Sequence, residues 1–257
     1  MPVRHLVAAV AFLVCTPMLS AQSVADQIAL GDQATVAMDA VQAYAHYRDA
    51  IAADSNSYEA LWKAAREAVD LGEFEPDKAR QKAYFTEGEQ YARRAVQIKA
   101  DDAEGHFTLA RALGRVALTL GKKDRVKYGK DVRTQALEAL KYDSLHAGAL
   151  HVLGRWNAEI MRLSGFSRFF AKTFLGGDTF GRASWDSAAY YMAKSVQLEP
   201  DRLVHHLDYA EVLYDRNKGD DRQKAREQLE LVINGRATDY NDTHYKQEAE
   251  EDMKKYQ

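Results

Sequence analysis

Cysteine is nearly absent from this 257-residue chain, whose one copy is Cys15. It lies in an N-terminal stretch with the order of an export signal. Arg4 and His5 form a short basic region, Leu6 to Leu19 is an apolar run interrupted by Thr16 and Pro17, and the small residues Ser20 and Ala21 follow. The run is short for a membrane-spanning helix. We expect residues 1–21 to be a signal peptide cut between Ala21 and Gln22, with export to the periplasm; the alternative is an uncleaved N-terminal membrane anchor. Leu19 is not the small residue that a cleavage site prefers at its position. A lipid-modified cysteine would want a small residue just before it, and Val14 and Phe12 fit poorly. Residues 22–257 then hold no cysteine, which excludes disulfides, thiol nucleophiles and thiolate metal ligands and leaves stability to packing.

Proline and glycine are also scarce, at 4 and 15 copies. The segments between them are rich in Ala, Leu, Glu, Lys, Arg and Gln, whose side chains lose little rotamer freedom in a helix. Alternating apolar and polar runs with β-branched residues are missing, so almost no sheet is expected. An excess of positive charge is missing too. The formal net charge is −3, and loss of Arg4 leaves 34 basic residues against 38 acidic ones, or −4. A phosphate backbone selects a basic face, which argues against nucleic acid. Gly176 and Gly177 follow no strand, so no phosphate loop is present, and Ser164 in Leu-Ser-Gly lacks the flanking glycines of a nucleophile elbow. His146 and His151 are five apart, off the i, i+4 spacing of a helical metal site, and the adjacent His205 and His206 cannot face one way. No metal, cofactor or enzyme activity is expected.

What the chain does have is a recurring junction. Residues 53–61 (Ala-Asp-Ser-Asn-Ser-Tyr-Glu-Ala-Leu), 98–106, 142–150 and 198–206 each follow an amphipathic helix and supply Asp, Ser, Asn or Pro where one helix stops and the next begins. From Asp54 to Lys99 is 45 residues, then 44 to Asp143 and 56 to Glu199. Such periods mean stacked helical hairpins. The junctions resemble the end of a tetratricopeptide repeat, and Ala65, Ala110, Gly154 and Ala210 hold the small-residue place that lets two helices approach closely. The departures are a spacing above the usual 34 or so and a closing proline kept only at Pro200.

A narrower resemblance covers about Ala92 to Tyr245. His151-Val-Leu-Gly-Arg-Trp, then Leu-Ser-Gly-Phe with Phe-Phe-Ala-Lys-Thr-Phe, then a repeat ending Leu-Glu-Pro-Asp, is similar to the regulator of microtubule dynamics family and its secreted bacterial relatives. Eukaryotic members act as organelle tethers. The resemblance implies a tetratricopeptide-like fold, a groove with lipid as one ligand class, and no enzyme activity. An exported chain would not meet cytosolic microtubules, so the named role is not expected to transfer.

The expected architecture is an all-α, right-handed stack of about five such hairpins in residues 22–257. The expected helices are 24–38 and 40–53, 58–71 and 77–98, 103–120 and 124–142, a fourth pair in 146–201, then 203–216 and 222–233, with 242–255 as a polar cap. The fourth pair carries an insert, 163–183. Its Phe166, Phe169, Phe170, Phe174 and Phe180 read either as an apolar wall over the groove or as a satellite core. Arg66, Arg111 and Arg155 fall at one equivalent position, one residue after a small residue, and stacking would align three permanently charged guanidiniums in the concave groove. Asp32 and Glu211 take the same place in the outer repeats. The row serves either an anionic ligand or internal pairing with neighbours such as Glu67, Glu104 or Glu159. Trp62, Trp156 and Trp185 read as packing residues. The function expected is a non-catalytic scaffold binding a protein segment or anionic group in the groove; the alternative is a phospholipid carrier using the arginines and the aromatic insert.

Overall fold

The computed structural model describes residues 23–163 and 180–256. Among them are eleven helices and no strand: α1 (Val24–Val36), α2 (Ala40–Ala53), α3 (Tyr58–Glu73), α4 (Lys78–Ile98), α5 (Ala103–Leu118), α6 (Lys122–Tyr142), α7 (Ala147–Arg162), α8 (Trp185–Leu198), α9 (Leu203–Arg216), α10 (Asp221–Asn234) and α11 (Asp242–Lys255). Phe166, Phe169, Phe170 and Phe174 lie outside the described residues. No helix among the described residues is long and apolar enough to cross a membrane.

The helices begin where the chain offers a side-chain acceptor to the free N–H groups of a first turn. Ser23 and Asp26 form a reciprocal capping box on α1, Ser57 caps α3, Asp77 caps α4 and Asp102 caps α5. At the third junction the cap is His146, whose Nδ1 accepts from the Ala149 N–H at 3.2 Å. Consecutive helices pair as α1/α2, α3/α4, α5/α6, α7/α8 and α9/α10, and each pair packs on the next. The odd-numbered helices α3, α5, α7 and α9 also touch in sequence, so they line one face of the solenoid. The helix α11 covers α9 and α10, seating Tyr245 and Ala249 against Leu207, Leu213 and Leu229.

Two close approaches show how the small residues work. A Cβ on Gly154 would meet the Met192 side chain of α8 at 2.8 Å, and one on Gly31 would press still closer on the Tyr47 ring of α2. Met192 has flexible torsions and can give way. Tyr47 is fully buried, and its hydroxyl donates to Asp32 at 2.7 Å, so its ring is fixed from both ends. Gly31→Ala should therefore lose about 1–3 kcal/mol through overpacking. Gly154→Ala should stay within about 1 kcal/mol of the native chain, because the gain in helix propensity offsets the crowding. Urea denaturation midpoints compare the two.

Candidate functional site

The three arginines sit on the face lined by the odd helices, and each is drawn to a carboxylate. Arg66 holds Glu67 at 2.8 Å, with its guanidinium over the Trp62 ring. Arg111 reaches back from α5 to α3, where Asp70 lies at 2.5 Å and Glu73 at 3.5 Å, and Arg115 also pairs with Glu73. Arg155 reaches forward from α7 to α9, meeting Asp208 at 2.5 Å and Glu211 at 3.5 Å. His151 binds the other oxygen of Asp208 at 2.7 Å, and Arg162 bridges Glu211 and Asp215. In the outermost repeat Asp32 faces Lys63 at 2.6 Å. Of the neighbours named from sequence, Glu67 pairs with its arginine, Glu104 with His146 at 3.3 Å, and Glu159 with Arg162 at 2.9 Å.

A buried guanidinium without a counter-ion is very unfavourable, which explains why the carboxylates are present. Burial pushes the Asp208 carboxyl up, but Arg155 and His151 beside it hold it well below the usual carboxylate range. The Asp208 carboxylate in turn raises Arg155, against the opposing effect of burial. The row is thus a set of neutralised pairs rather than a line of free cations.

Arg111 and Arg155 turn away from each other, and a cavity of about 490 Å³ opens between α5 and α7. Val132, Val152, Trp156, Ile160 and Leu163 give it an apolar wall; His146, His151, His205, Arg202 and Tyr245 supply polar edges, and all three arginines of the row contribute to its lining. This volume falls within the usual range for ligand pockets. His205 is buried among these residues, and burial, with His151 and Arg202 nearby, depresses it to about 2, so it is a neutral imidazole. Its ring lies 4.7 Å from that of His151. Phe180 is fully buried behind the wall, stacked on Trp156 at 5.9 Å, so Trp156 meets the cavity and Phe180 backs it. Trp62 and Trp185 pack against the cores of the early and late hairpins.

His206 has a different task from its neighbour. Its Nε2 donates to the Pro200 carbonyl at 2.8 Å and its Nδ1 meets the Gln228 side-chain amide at 2.7 Å. His106 repeats this with the Ala100 carbonyl at 2.9 Å and Gln135 at 2.7 Å. Both histidines occupy the fourth position of their helix, a shared register that the sequence already displays. No group of three or more His, Cys, Asp or Glu side chains placed to hold a metal ion occurs among the described residues.

A family model described as regulator of microtubule dynamics protein 1-3 matches residues 24–257. The chain belongs to the regulator of microtubule dynamics family. It is 27% identical over 110 residues, 43% of this chain, to regulator of microtubule dynamics protein 3 of Xenopus laevis, and 25% identical over 140 residues, 54% of this chain, to the Bos taurus protein of that name. Those matches span 24% and 29% of the relatives, so the chain aligns with about a quarter of each. Among solved structures, a thermophilic TPR protein of Thermus thermophilus is similar with a TM-score of 0.63 at 16% identity, covering 88% of this chain and 98% of that one. The family member described here therefore has the α-solenoid fold of tetratricopeptide-like hairpins, one commonly used as a protein-binding scaffold.

Two outcomes follow from the charges at the site. Arg155→Ala leaves buried Asp208 with only His151, which should lower stability by about 3 kcal/mol at neutral pH. Because Asp208 is depressed in the folded state, that difference should persist above about pH 4 and close as pH falls through its folded value. Denaturation of both proteins across acid pH checks this. On α11, Glu248 is pushed up to about 7, first by partial burial and then by the carboxylates of Glu211, Asp208, Glu73 and Asp252. A raised carboxyl favours the folded state at low pH and penalises it as pH rises from its unfolded value toward 7. Glu248→Gln should therefore raise Tm by about 1–3 °C at pH 8, a modest gain because solvent screens the site, and by nothing near pH 4.

Proposed function

We propose that this chain is a non-catalytic scaffold, exported across a membrane, that seats a short segment of a partner protein over the cavity between α5 and α7. The observation that carries the reading is the cavity itself: about 490 Å³, apolar at its base, on the face lined by successive odd helices. Since the arginines are neutralised within the fold, the segment that fits is neutral or weakly basic. One large apolar side chain would enter between Val152, Trp156 and Ile160, with backbone carbonyls meeting the rim. Export is read from residues 4–21, and it separates this chain from the microtubule role in the relatives' name. A second reading, a lipid carrier, is favoured by the apolar wall, which would suit an acyl chain as well as a side chain.

Replacing the arginines would test this poorly, because their loss strands buried carboxylates and lowers stability along with any binding. Gly114 is the better handle: it lines the cavity, and a Cβ added there meets nothing within 4 Å. A photo-crosslinker at Leu118, on the cavity rim, should trap a protein in the native envelope, and Gly114→Trp should reduce that adduct at least tenfold. The same crosslinker at exposed Tyr190 should trap none. Native mass spectrometry of the protein from the same envelope reads both the loss of residues 1–21 and any co-purifying lipid. A lipid adduct abolished by Gly114→Trp, with no protein trapped at Leu118, would replace the scaffold reading with the carrier.

A further inference from the structure

The start of α11 does more than cap the last hairpin. Asn241 is its N-cap residue, yet the side chain makes no capping hydrogen bond to its own helix. Instead Nδ2 donates to the backbone carbonyl of Asp70 at 3.0 Å, 171 residues away in the last turn of α3. Carbonyls there lack a partner within the helix, so the bond satisfies a group that α3 leaves open. Three further contacts surround it. Phe74 stacks on His244 with ring centroids 4.4 Å apart, Phe74 meets the Tyr245 ring edge-on at 5.5 Å, and Asp239 accepts from Arg202 at 2.6 Å. Tyr245 and Arg202 both line the cavity.

The Asn241 and Phe74 contacts join the second hairpin to the cap beyond the fifth, and the Arg202–Asp239 pair ties that cap to the start of α9. In a solenoid each repeat normally touches only its neighbours, and the pitch is free to flex. A tie between distant repeats fixes that pitch. The tie is also imperfect: Asn241 is fully buried, and its Oδ1 has no hydrogen-bond partner. A buried acceptor left unpaired penalises the closed state relative to one in which water reaches it. The apolar seat of α11 on α9 and α10 shares Tyr245 and Phe74 with these contacts, but it also holds Ala249 and Met253 further along the helix, while Asn241 and His244 lie outside it, so the polar end of the tie can part while the helix stays docked.

We propose that residues 239–245, with Asp70 and Phe74 opposite, form a latch across the concave face that controls entry to the cavity between α5 and α7. The proposal rests on that cavity being the binding site, but its test needs no partner. In a Cys15→Ser background, Gly114→Cys places a thiol at a cavity-lining position where an added Cβ meets nothing within 4 Å, and Tyr190→Cys places one on an exposed helix face as a control. Labelling with a maleimide on a polyethylene glycol chain gives second-order rates for each. With the latch intact, the thiol at position 114 should react at least tenfold more slowly than the control. Phe74→Ala with Asn241→Ala should raise the rate at 114 at least tenfold and leave the rate at 190 unchanged. Equal rates at 114 with and without the latch contacts would overturn the proposal, as would a rise at both positions, which marks general loosening. Asn241→Ala alone, scored in the same way, decides the matter if the double variant loses its cooperative melt. Failure of partner capture at Leu118 with a gated thiol at 114 would remove the scaffold reading and keep the latch.

Discussion

A guanidinium taken out of water must find a carboxylate, and the direction in which it does so shapes the concave face of this protein. Arg111 and Arg155 occupy equivalent places in successive hairpins, yet one leans back to Asp70 and the other forward to Asp208. The α3/α5 and α7/α9 contacts are thereby each stitched by charge. Between α5 and α7 no guanidinium–carboxylate pair is formed among the described residues, and the space left is the cavity. Pairing of this kind adds little net stability over a hydrophobic contact but is severely punished when half of it is lost. Its value here is positional: it keeps the arginine stems along the cavity wall while cancelling their charge.

Much of the fold could be read from sequence because it is set by local chemistry. The Asp- and Ser-rich junctions did become helix starts, and Ala65, Ala110, Gly154 and Ala210 lie buried or tightly packed where helices meet. The helix limits agree with the structure to within about two residues at nearly every end, as expected for boundaries fixed by caps. The site was legible only as a set of positions. Equivalent register placed Arg66, Arg111 and Arg155 on one face, but register says nothing about which way a long side chain leans. That depends on Asp70 and Asp208, which sit on different helices at different offsets from the arginines they meet.

Other features escaped because their partners are remote. His106 and His206 share a register, and comparing repeats column by column exposes them as paired fasteners, each bonded to the carbonyl six residues before it and to a glutamine of the next helix. The contact between Asn241 and Asp70 has no such signal. From sequence, 242–255 reads as a polar cap on the last hairpin, which it is. That the same few residues also touch α3 follows from the curvature accumulated over the intervening hairpins, a sum of small rotations that no single junction encodes.

That closure has a consequence for how the family member can change in length. An open solenoid gains or loses a repeat by duplication or deletion at little penalty, since every new unit finds the same kind of neighbour. Here the carbonyl of Asp70 and the side chain of Asn241 meet only because the hairpins between them sum to the right arc. One more unit would carry α11 past α3, and one fewer would leave it short. The Asp70–Asn241 contact therefore fixes the number of hairpins between them, while a unit added before α1 would leave that contact in place.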